Sequence, residues 1–346
     1  MSDRKIAILG SGANGSAIGA DLTRAGLDVV LIDQWPAHVE AMRANGLRVR
    51  TAGVETVTQV RAHHLCDIAT FTDKFDIVLM LFKAYDTRWA ARLIEPYLAA
   101  DGFLVGVQNG MSADDIAEIV GPSRTLGCVI EVASELWEPG VVQRHSPPDS
   151  GSWFALGSID PSTRGREEEV AAVMRHAGAV EISQNIRSSK WMKLTMNAMT
   201  LAPWSLTGLP LDQVDTIPGM REISLAAGTE ALAAGQAQGF KVEPIIGLRP
   251  DEVENTNRLL ETLLDKLATI TRPGTFTTVH CDHVKGRLSE TDNINGAVVA
   301  VLERRGGRAP VNAAIVEATR RLHAGEVKAG PEAVALLRDL IAHGRA

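Results

Sequence analysis

The short apolar run Ile6-Ala7-Ile8-Leu9 ends at Gly10-Ser11-Gly12-Ala13-Asn14-Gly15. A helical pattern follows from Ser16 to Ala25 and is stopped by Gly26. A strand apolar on both faces has to be buried on both, which calls for a parallel sheet with helices on either side. Strand, turn and helix in that order give a G-x-G-x-x-G run the context in which it is informative. Gly10 permits the tight turn, Gly12 lets the backbone approach a pyrophosphate, and Gly15 lets the helix pack closely on the strand. The helix N-terminus then faces the phosphates with free N–H groups and a partial positive charge. The sequence therefore predicts that Gly10, Ser11, Gly12, Ala13, Asn14 and Gly15 cradle a dinucleotide.

The rhythm repeats downstream. Val29-Val30-Leu31-Ile32 reads as a second buried strand, and Pro36 can open the next helix. Val54 to Val60 alternates like a surface strand. Asp76 to Phe82 and Phe103 to Val107 are again strands, with Thr87 to Leu98 helical between them. This order predicts an α/β fold with an N-terminal Rossmann-type doubly wound parallel sheet. Leu126 to Val132 and Val141 to Gln143 read as added strands finishing that domain, around Glu138-Pro139-Gly140 and a loop at Ser146 to Ser152. A helix is expected at Arg166 to His176. Beyond Ile186 helical patterns take over: Ser188 to Leu206, Gly219 to Gly239, Glu252 to Ile270, Thr291 to Arg304, Val311 to Ala324 and Pro331 to His343. The expected organisation is a dinucleotide-binding domain over residues 1–184 and an all-helical substrate-binding and dimerisation domain over 185–346.

Asp33 closes the second strand. A carboxylate there accepts both ribose hydroxyls of NAD and repels the 2′-phosphate of NADP. Gln34 and Trp35 supply no positive charge, so NAD is the expected cofactor and NADP the less favoured one. Two other readings stay open. Asp33 can act as a cap for the helix beginning at Pro36, or Arg43, Arg48 or Arg61 can reach the site and accommodate NADP.

Composition narrows the class. A chain of 346 residues suits two domains, and 35 Lys+Arg against 42 Asp+Glu leaves a net charge of −7. That balance gives no electrostatic reason to expect nucleic acid or an anionic membrane as partner. The apolar run Ile77 to Phe82 is far short of the roughly 20 residues a membrane span needs. The four apolar residues before Gly10 are fewer than the about 7–15 of a secretory signal. Cys66, Cys128 and Cys281 are odd in number and far apart, so neither a disulfide framework nor a zinc ribbon is expected, and a cytoplasmic setting is. His280-Cys281-Asp282-His283 offers at most two ligands from one helix face, too few for zinc, so no metal is expected.

Further runs occur in fixed order: Phe82-Lys83-Ala84, Val107-Gln108-Asn109-Gly110-Met111, Trp191-Met192-Lys193-Leu194-Thr195-Met196-Asn197, Thr278-Val279-His280-Cys281-Asp282, Glu290-Thr291-Asp292-Asn293-Ile294-Asn295-Gly296 and Ala309-Pro310-Val311-Asn312. With the glycine loop, these make the chain resemble, nearly end to end, the ketopantoate reductases (2-dehydropantoate 2-reductases). The resemblance implies that Lys83 lies near the cofactor and that Asn109 lies beside nicotinamide and substrate. It also implies a catalytic Lys193 with Glu290 as its orienting partner, and substrate contacts from Asn197 and Thr278.

The residue types suit that chemistry. Reducing a 2-oxo acid needs a hydride at C2 and a proton donor at the carbonyl oxygen. The Lys193 ammonium can polarise that oxygen and then protonate it, and Asn197, four residues on, shares its helix face. Lys190 competes for the role, but only Lys193 stands four residues before Asn197 with the family's flanks. Two departures concern substrate. Leu201 stands where the family usually carries another asparagine, and Glu131 to Trp153, which includes Trp137 and Trp153, lacks the family's glycine-rich stretch.

The expectation is an NAD(P)-dependent reductase of a 2-oxo acid, with ketopantoate one candidate among bulkier or more apolar acids. Oxidation of a 2-hydroxy acid is the reverse direction. Imine reduction of an opine type and a non-catalytic NAD-binding sensor are the alternatives, and a sensor would need none of Lys193, Asn109 and Glu290. The resemblance also implies a homodimer through the helical domain.

Overall fold

A computed structural model describes residues 4–253 and 256–344. Its contacts divide the chain into two units, the first running to Lys190 and the second beginning at Trp191. Among the described residues no helix is long and apolar enough to cross a membrane.

The first unit runs β1 (Lys5–Leu9), α1 (Ala13–Arg24), β2 (Asp28–Asp33), α2 (Pro36–Asn45), β3 (Leu47–Thr51), β4 (Val54–Thr58), β5 (Arg61–His64), β6 (Phe75–Met80), α3 (Thr87–Ile94), β7 (Leu98–Gly106), α4 (Ser112–Val120), β8 (Thr125–Glu131), β9 (Ser134–Glu138), β10 (Val141–Arg144), β11 (Trp153–Ser158), α5 (Glu167–Met174) and β12 (Ala179–Ile182). The main sheet has the order β12-β11-β8-β7-β6-β1-β2-β5, with every neighbouring pair parallel except β8 and β11. Alternation explains why its strands read as unbroken apolar runs. Ile6, Ile8, Leu31, Ile77 and Leu79 bury one face with Ile18 and Leu22 of α1, and Ala7, Leu9, Val78 and Met80 bury the other with Ala90 and Ile94 of α3. From β1 the chain adds β2 on one side and later returns to β6 on the other, so a topological switch point lies between β1 and β6.

A second sheet has the order β4-β3-β10-β9. The Val54 strand pairs antiparallel with β3, and β10 pairs parallel with β3 from far along the chain. The strands around Val141 thus divide between two sheets: β8 and β11 extend the first, while β9 and β10 build the second. Local periodicity carries no signal for so non-local a pairing. Glu138-Pro139-Gly140 forms the β9–β10 hairpin turn, where Gly140 takes a φ of 77°.

The second unit is helical. It contains the body of α6 (Ile186–Ser205), then α7 (Met220–Ala237), α8 (Pro250–Val253), α9 (Leu259–Ile270), α10 (Thr278–Val284), α11 (Ala297–Arg304), α12 (Pro310–His323) and α13 (Pro331–His343). α7 lies close on α6 because glycines face large side chains. A Cβ on Gly235 would come within 2.3 Å of the Trp191 ring, and one on Gly228 within 2.7 Å of Met199. Trp191 Nε1 donates to the Ala231 carbonyl at 2.8 Å across the same seam.

Two expected helices differ. The single helix expected over Glu252 to Ile270 is interrupted at Thr256 to Arg258, with α8 before and α9 after; residues 254 and 255 lie outside the described residues. At the interruption Thr256 Oγ1 accepts the Arg258 N–H at 3.0 Å, a local bond that competes with helix continuation. The helix over Thr291 to Arg304 begins instead as a π-helical turn, Asp292–Gly296, before α11. Such turns occur mostly singly and often at functional sites.

Candidate active site

Three loops leave the carboxyl ends of adjacent strands β1, β6 and β7. The glycine loop is bonded to the end of β2, with the N–H groups of Gly10 and Ser11 donating to the Ile32 carbonyl at 2.9 and 3.2 Å. Gly10 has a φ of 98°, and a Cβ there would meet the Phe82 nitrogen at 2.5 Å. The tight turn and the neighbouring loop therefore both exclude a side chain. A Cβ on Gly15 would lie 2.2 Å from the Gly10 carbonyl oxygen, whereas one on Gly12 would meet nothing within 4 Å. The open position is the one where a pyrophosphate has to approach, at the N-cap of α1. Asn14 Oδ1 is buried there without a hydrogen-bond partner. These features fit a dinucleotide.

Asp33 ends β2 and is buried, and its Oδ1 accepts the Trp35 N–H at 2.8 Å. That bond lies ahead of α2, whose N-cap is Trp35 and which carries no side-chain cap, so Asp33 shapes the turn into the helix without capping it. The three arginines left open in the sequence are all held elsewhere. Arg43 donates to Ala62 O at 2.8 Å and pairs with Glu40 and Asp67; Arg48 pairs with Glu55; Arg61 bonds Asp28 and the Val29 carbonyl.

Lys83 and Asn109 follow β6 and β7 and are half-buried. Gln108 stitches their loops together. Its Nε2 donates to Thr87 Oγ1 at 2.9 Å, and its Oε1 accepts from Ser112 Oγ at 3.0 Å. The Gln108 carbonyl accepts from Lys190 Nζ at 2.9 Å, which also donates to the Cys128 carbonyl at 3.0 Å. Lys190 is therefore no solvated helix lysine but a buried clamp that fixes the peptide leading into Asn109. Its neighbour Cys128 is inert as a nucleophile, since burial pushes the thiol up to about 12. Lys190→Met should cost about 1–3 kcal/mol of stability, the worth of buried carbonyls deprived of a donor. An unchanged melting temperature would mean that the ammonium does not bond there.

In the second unit Lys193 and Asn197 lie on one face of α6, and both are buried, as is Glu290 before the π-helical turn. Asn295, in that turn, donates from Nδ2 to the Ala198 carbonyl at 3.0 Å and to Asn312 Oδ1 at 2.9 Å. Asn312 Nδ2 in turn donates to the Ala227 carbonyl and to Glu230 Oε2. The last two sequence runs thus serve as a buried amide network that fixes the segment after Glu290 against the helix carrying Asn197. Of two adjacent threonines, Thr277 caps α10 by accepting the His280 N–H at 3.0 Å, while Thr278 Oγ1 is buried with no partner. A hydroxyl so placed suits a ligand contact.

The two tryptophans, Trp137 and Trp153, belong to the first unit. Trp153 is core on β11, bonded to Glu181, and Trp137 is exposed on β9. Leu201 is half-buried against the apolar cluster of Ala202, Leu206, Ala227 and Ile315. His283 stands 5.8 Å from His323 between ring centroids, and burial pushes its imidazole down to about 4, so it is neutral at pH 7. Among the described residues no three His, Cys, Asp or Glu side chains converge on one point.

A glycine loop at the switch point of a parallel sheet, followed by an all-helical unit with a buried lysine, asparagine and glutamate, defines a nicotinamide-dinucleotide oxidoreductase. The chain belongs to the ketopantoate reductase PanE/ApbA family, whose model matches residues 6–155 and whose C-terminal model matches residues 185–323. It is 31% identical over 259 residues to a 2-dehydropantoate 2-reductase of Mesorhizobium japonicum, covering 68% of this chain and 77% of that one. Its structure resembles that of a PanE/ApbA family ketopantoate reductase from Ralstonia eutropha JMP134, with a TM-score of 0.74, 28% identity, and coverage of 98% and 100% of the two chains. D-mandelate dehydrogenase solved with NADH and anilino(oxo)acetate shares the fold at a TM-score of 0.81 and 20% identity, over 94% of this chain and all of that one. The chain is thus an NAD(P)-dependent oxidoreductase of that family.

Proposed function

We propose that this enzyme uses NADH to reduce the C2 carbonyl of a 2-oxo acid with an apolar substituent, and that ketopantoate is a poor substrate. The observation that carries this reading is the face of α6 that runs Lys193, Asn197, Leu201, two polar groups followed by an apolar one where an amide would serve a polyol-like substrate. The D-mandelate dehydrogenase relative, solved with an oxoacetate that carries an anilino group, supports the same size class.

In this reading a reduced nicotinamide supplies the hydride. The Lys193 ammonium holds the carbonyl oxygen and gives it a proton, and Glu290 orients that ammonium. Asn197 and Thr278 bond the acid without adding charge, and Asn109 positions the reacting carbonyl. A homodimer through the helical unit belongs to the same reading, supported by the exposed Ile270, Val284 and Leu288 there.

The test is loss of NADH absorbance with ketopantoate, phenylglyoxylate, 2-oxoisovalerate and pyruvate. The aryl acid should exceed ketopantoate in kcat/KM by about tenfold or more, the worth of one buried hydrogen bond misplaced or regained. A ketopantoate rate as high as the aryl acid's would return the plain family activity.

Asp33 and the commitment of Arg43, Arg48 and Arg61 to other partners support NADH over NADPH. On one substrate kcat/KM should favour NADH by about tenfold or more, from repulsion of the 2′-phosphate. An NADPH preference would mean that one of those arginines swings away from its partner.

A further inference from the structure

His38, on α2, is fully buried and is not among the residues the glycine pattern singles out. Its Nδ1 accepts the Gly140 N–H at 2.8 Å. A backbone N–H can only donate, so the proton of the neutral ring sits on Nε2. Nε2 lies 3.0 Å from the Ser11 carbonyl oxygen and 3.0 Å from Ser16 Oγ. Ser16 Oγ itself donates to the Ser11 carbonyl at 2.6 Å. Two buried donors thus draw one carbonyl of the glycine loop inward.

The consequence follows from peptide geometry. In a trans peptide the C=O and the following N–H point in opposite directions, and the described residues contain no cis peptide. With the Ser11 carbonyl held inward, the Gly12 N–H points out of the interior, at the residue over which a Cβ would meet nothing. The far end of the device is the β9–β10 hairpin, where the Gly140 carbonyl also accepts the Arg48 N–H at 2.9 Å. Trp35 stacks on the ring with centroids 5.8 Å apart and limits its rotation.

We propose that His38 is a positioning residue for the cofactor. Held by the Gly140 N–H, its imidazole keeps the Ser11 carbonyl turned inward and so presents the Gly12 N–H to the pyrophosphate. The second sheet thereby sets the geometry of the phosphate loop. The inference rests on the reading that the pyrophosphate lies over this loop.

His38→Leu should raise KM for NADH about tenfold, as expected for one hydrogen bond to a charged group, with kcat at saturating NADH and KM for the oxo acid within about twofold. His38→Gln, whose amide offers an acceptor and a donor, should recover KM for NADH to within about threefold. Ser16→Ala removes the second donor while keeping a good helix former, and should raise KM for NADH about threefold even where His38→Leu fails to fold. Unchanged KM for NADH in Ser16→Ala and in folded His38→Leu would overturn the proposal, as would a Gln variant no better than Leu. Gly12→Val separates the two readings. If it leaves NADH binding intact, the loop does not hold the pyrophosphate; if it abolishes binding while the His38 and Ser16 variants bind normally, only the positioning role fails.

Discussion

Lys193→Ala should lower kcat by roughly 10²–10⁴, the usual worth of a positioned proton donor. The side chain is buried in the helical unit on the face of α6 that carries Asn197. In the proposed mechanism, removing its ammonium takes away the group that neutralises the developing alkoxide. KM for NADH should change little, because the groups that fit the pyrophosphate and ribose are Gly10, Gly12 and Asp33 in the other unit. Lys190→Met supplies the contrast. Its ammonium is occupied by the Gln108 and Cys128 carbonyls, so that variant should lose stability first and turnover only as far as the Asn109 loop shifts. Initial rates and melting curves for the pair separate the roles. If Lys190→Met is the variant that folds normally and loses kcat by that factor, and Lys193→Ala does not, the register of α6 is wrong and Asn197 leaves the site with Lys193.

The parts readable from sequence are those written in local pattern. The β1 run and its glycine loop needed no more than apolar continuity and three glycines, and the structure gives Gly10 and Gly15 each a steric reason while leaving Gly12 open. Of the helices after Ile186, α6, α7, α12 and α13 were readable from period and stop signals, whereas the interruption before α9, the short α10 and the π-helical turn before α11 were not. The second sheet was not, because β3 and β10 pair across a long stretch of chain and neither announces its partner. The same non-locality hid His38 and Lys190. A histidine inside a helix and a lysine beside a tryptophan look solvated until the carbonyls they serve, on Ser11 and Gln108, are placed beside them. Asn295 and Asn312 were noticed for their motif, but their work is to bind helices together, which sequence spacing cannot separate from contact with a ligand.

The largest expected effect on stability comes from the ion pair of Asp21 and Arg144. Asp21 lies on α1 behind the glycine loop and Arg144 on β10, and both side chains are almost wholly buried. Burial pushes the Asp21 carboxyl above its usual range, against the opposing pull of Arg144 and Arg24. Arg144 is otherwise fully used: Nε donates to the Ser146 carbonyl at 2.7 Å, and Nη2 to Ser152 Oγ and the Ala177 carbonyl at 2.9 and 3.0 Å. Asp21→Asn keeps the shape and strands the guanidinium charge in the interior, so it should cost about 3–5 kcal/mol. That corresponds to a fall of about 10 °C in the melting temperature of a unit this size. Arg144→Met alone should cost less, because Arg24 still pairs with Asp21 and is itself partly solvated. In the double variant no buried charge is left unpaired, so its loss should fall well below the sum of the singles. Thermal unfolding of the three variants measures the coupling. Additive losses would show that the two charges are stabilised independently, and the hairpin of the second sheet would then be held on α1 by packing and on α2 by the His38–Gly140 bond rather than by charge.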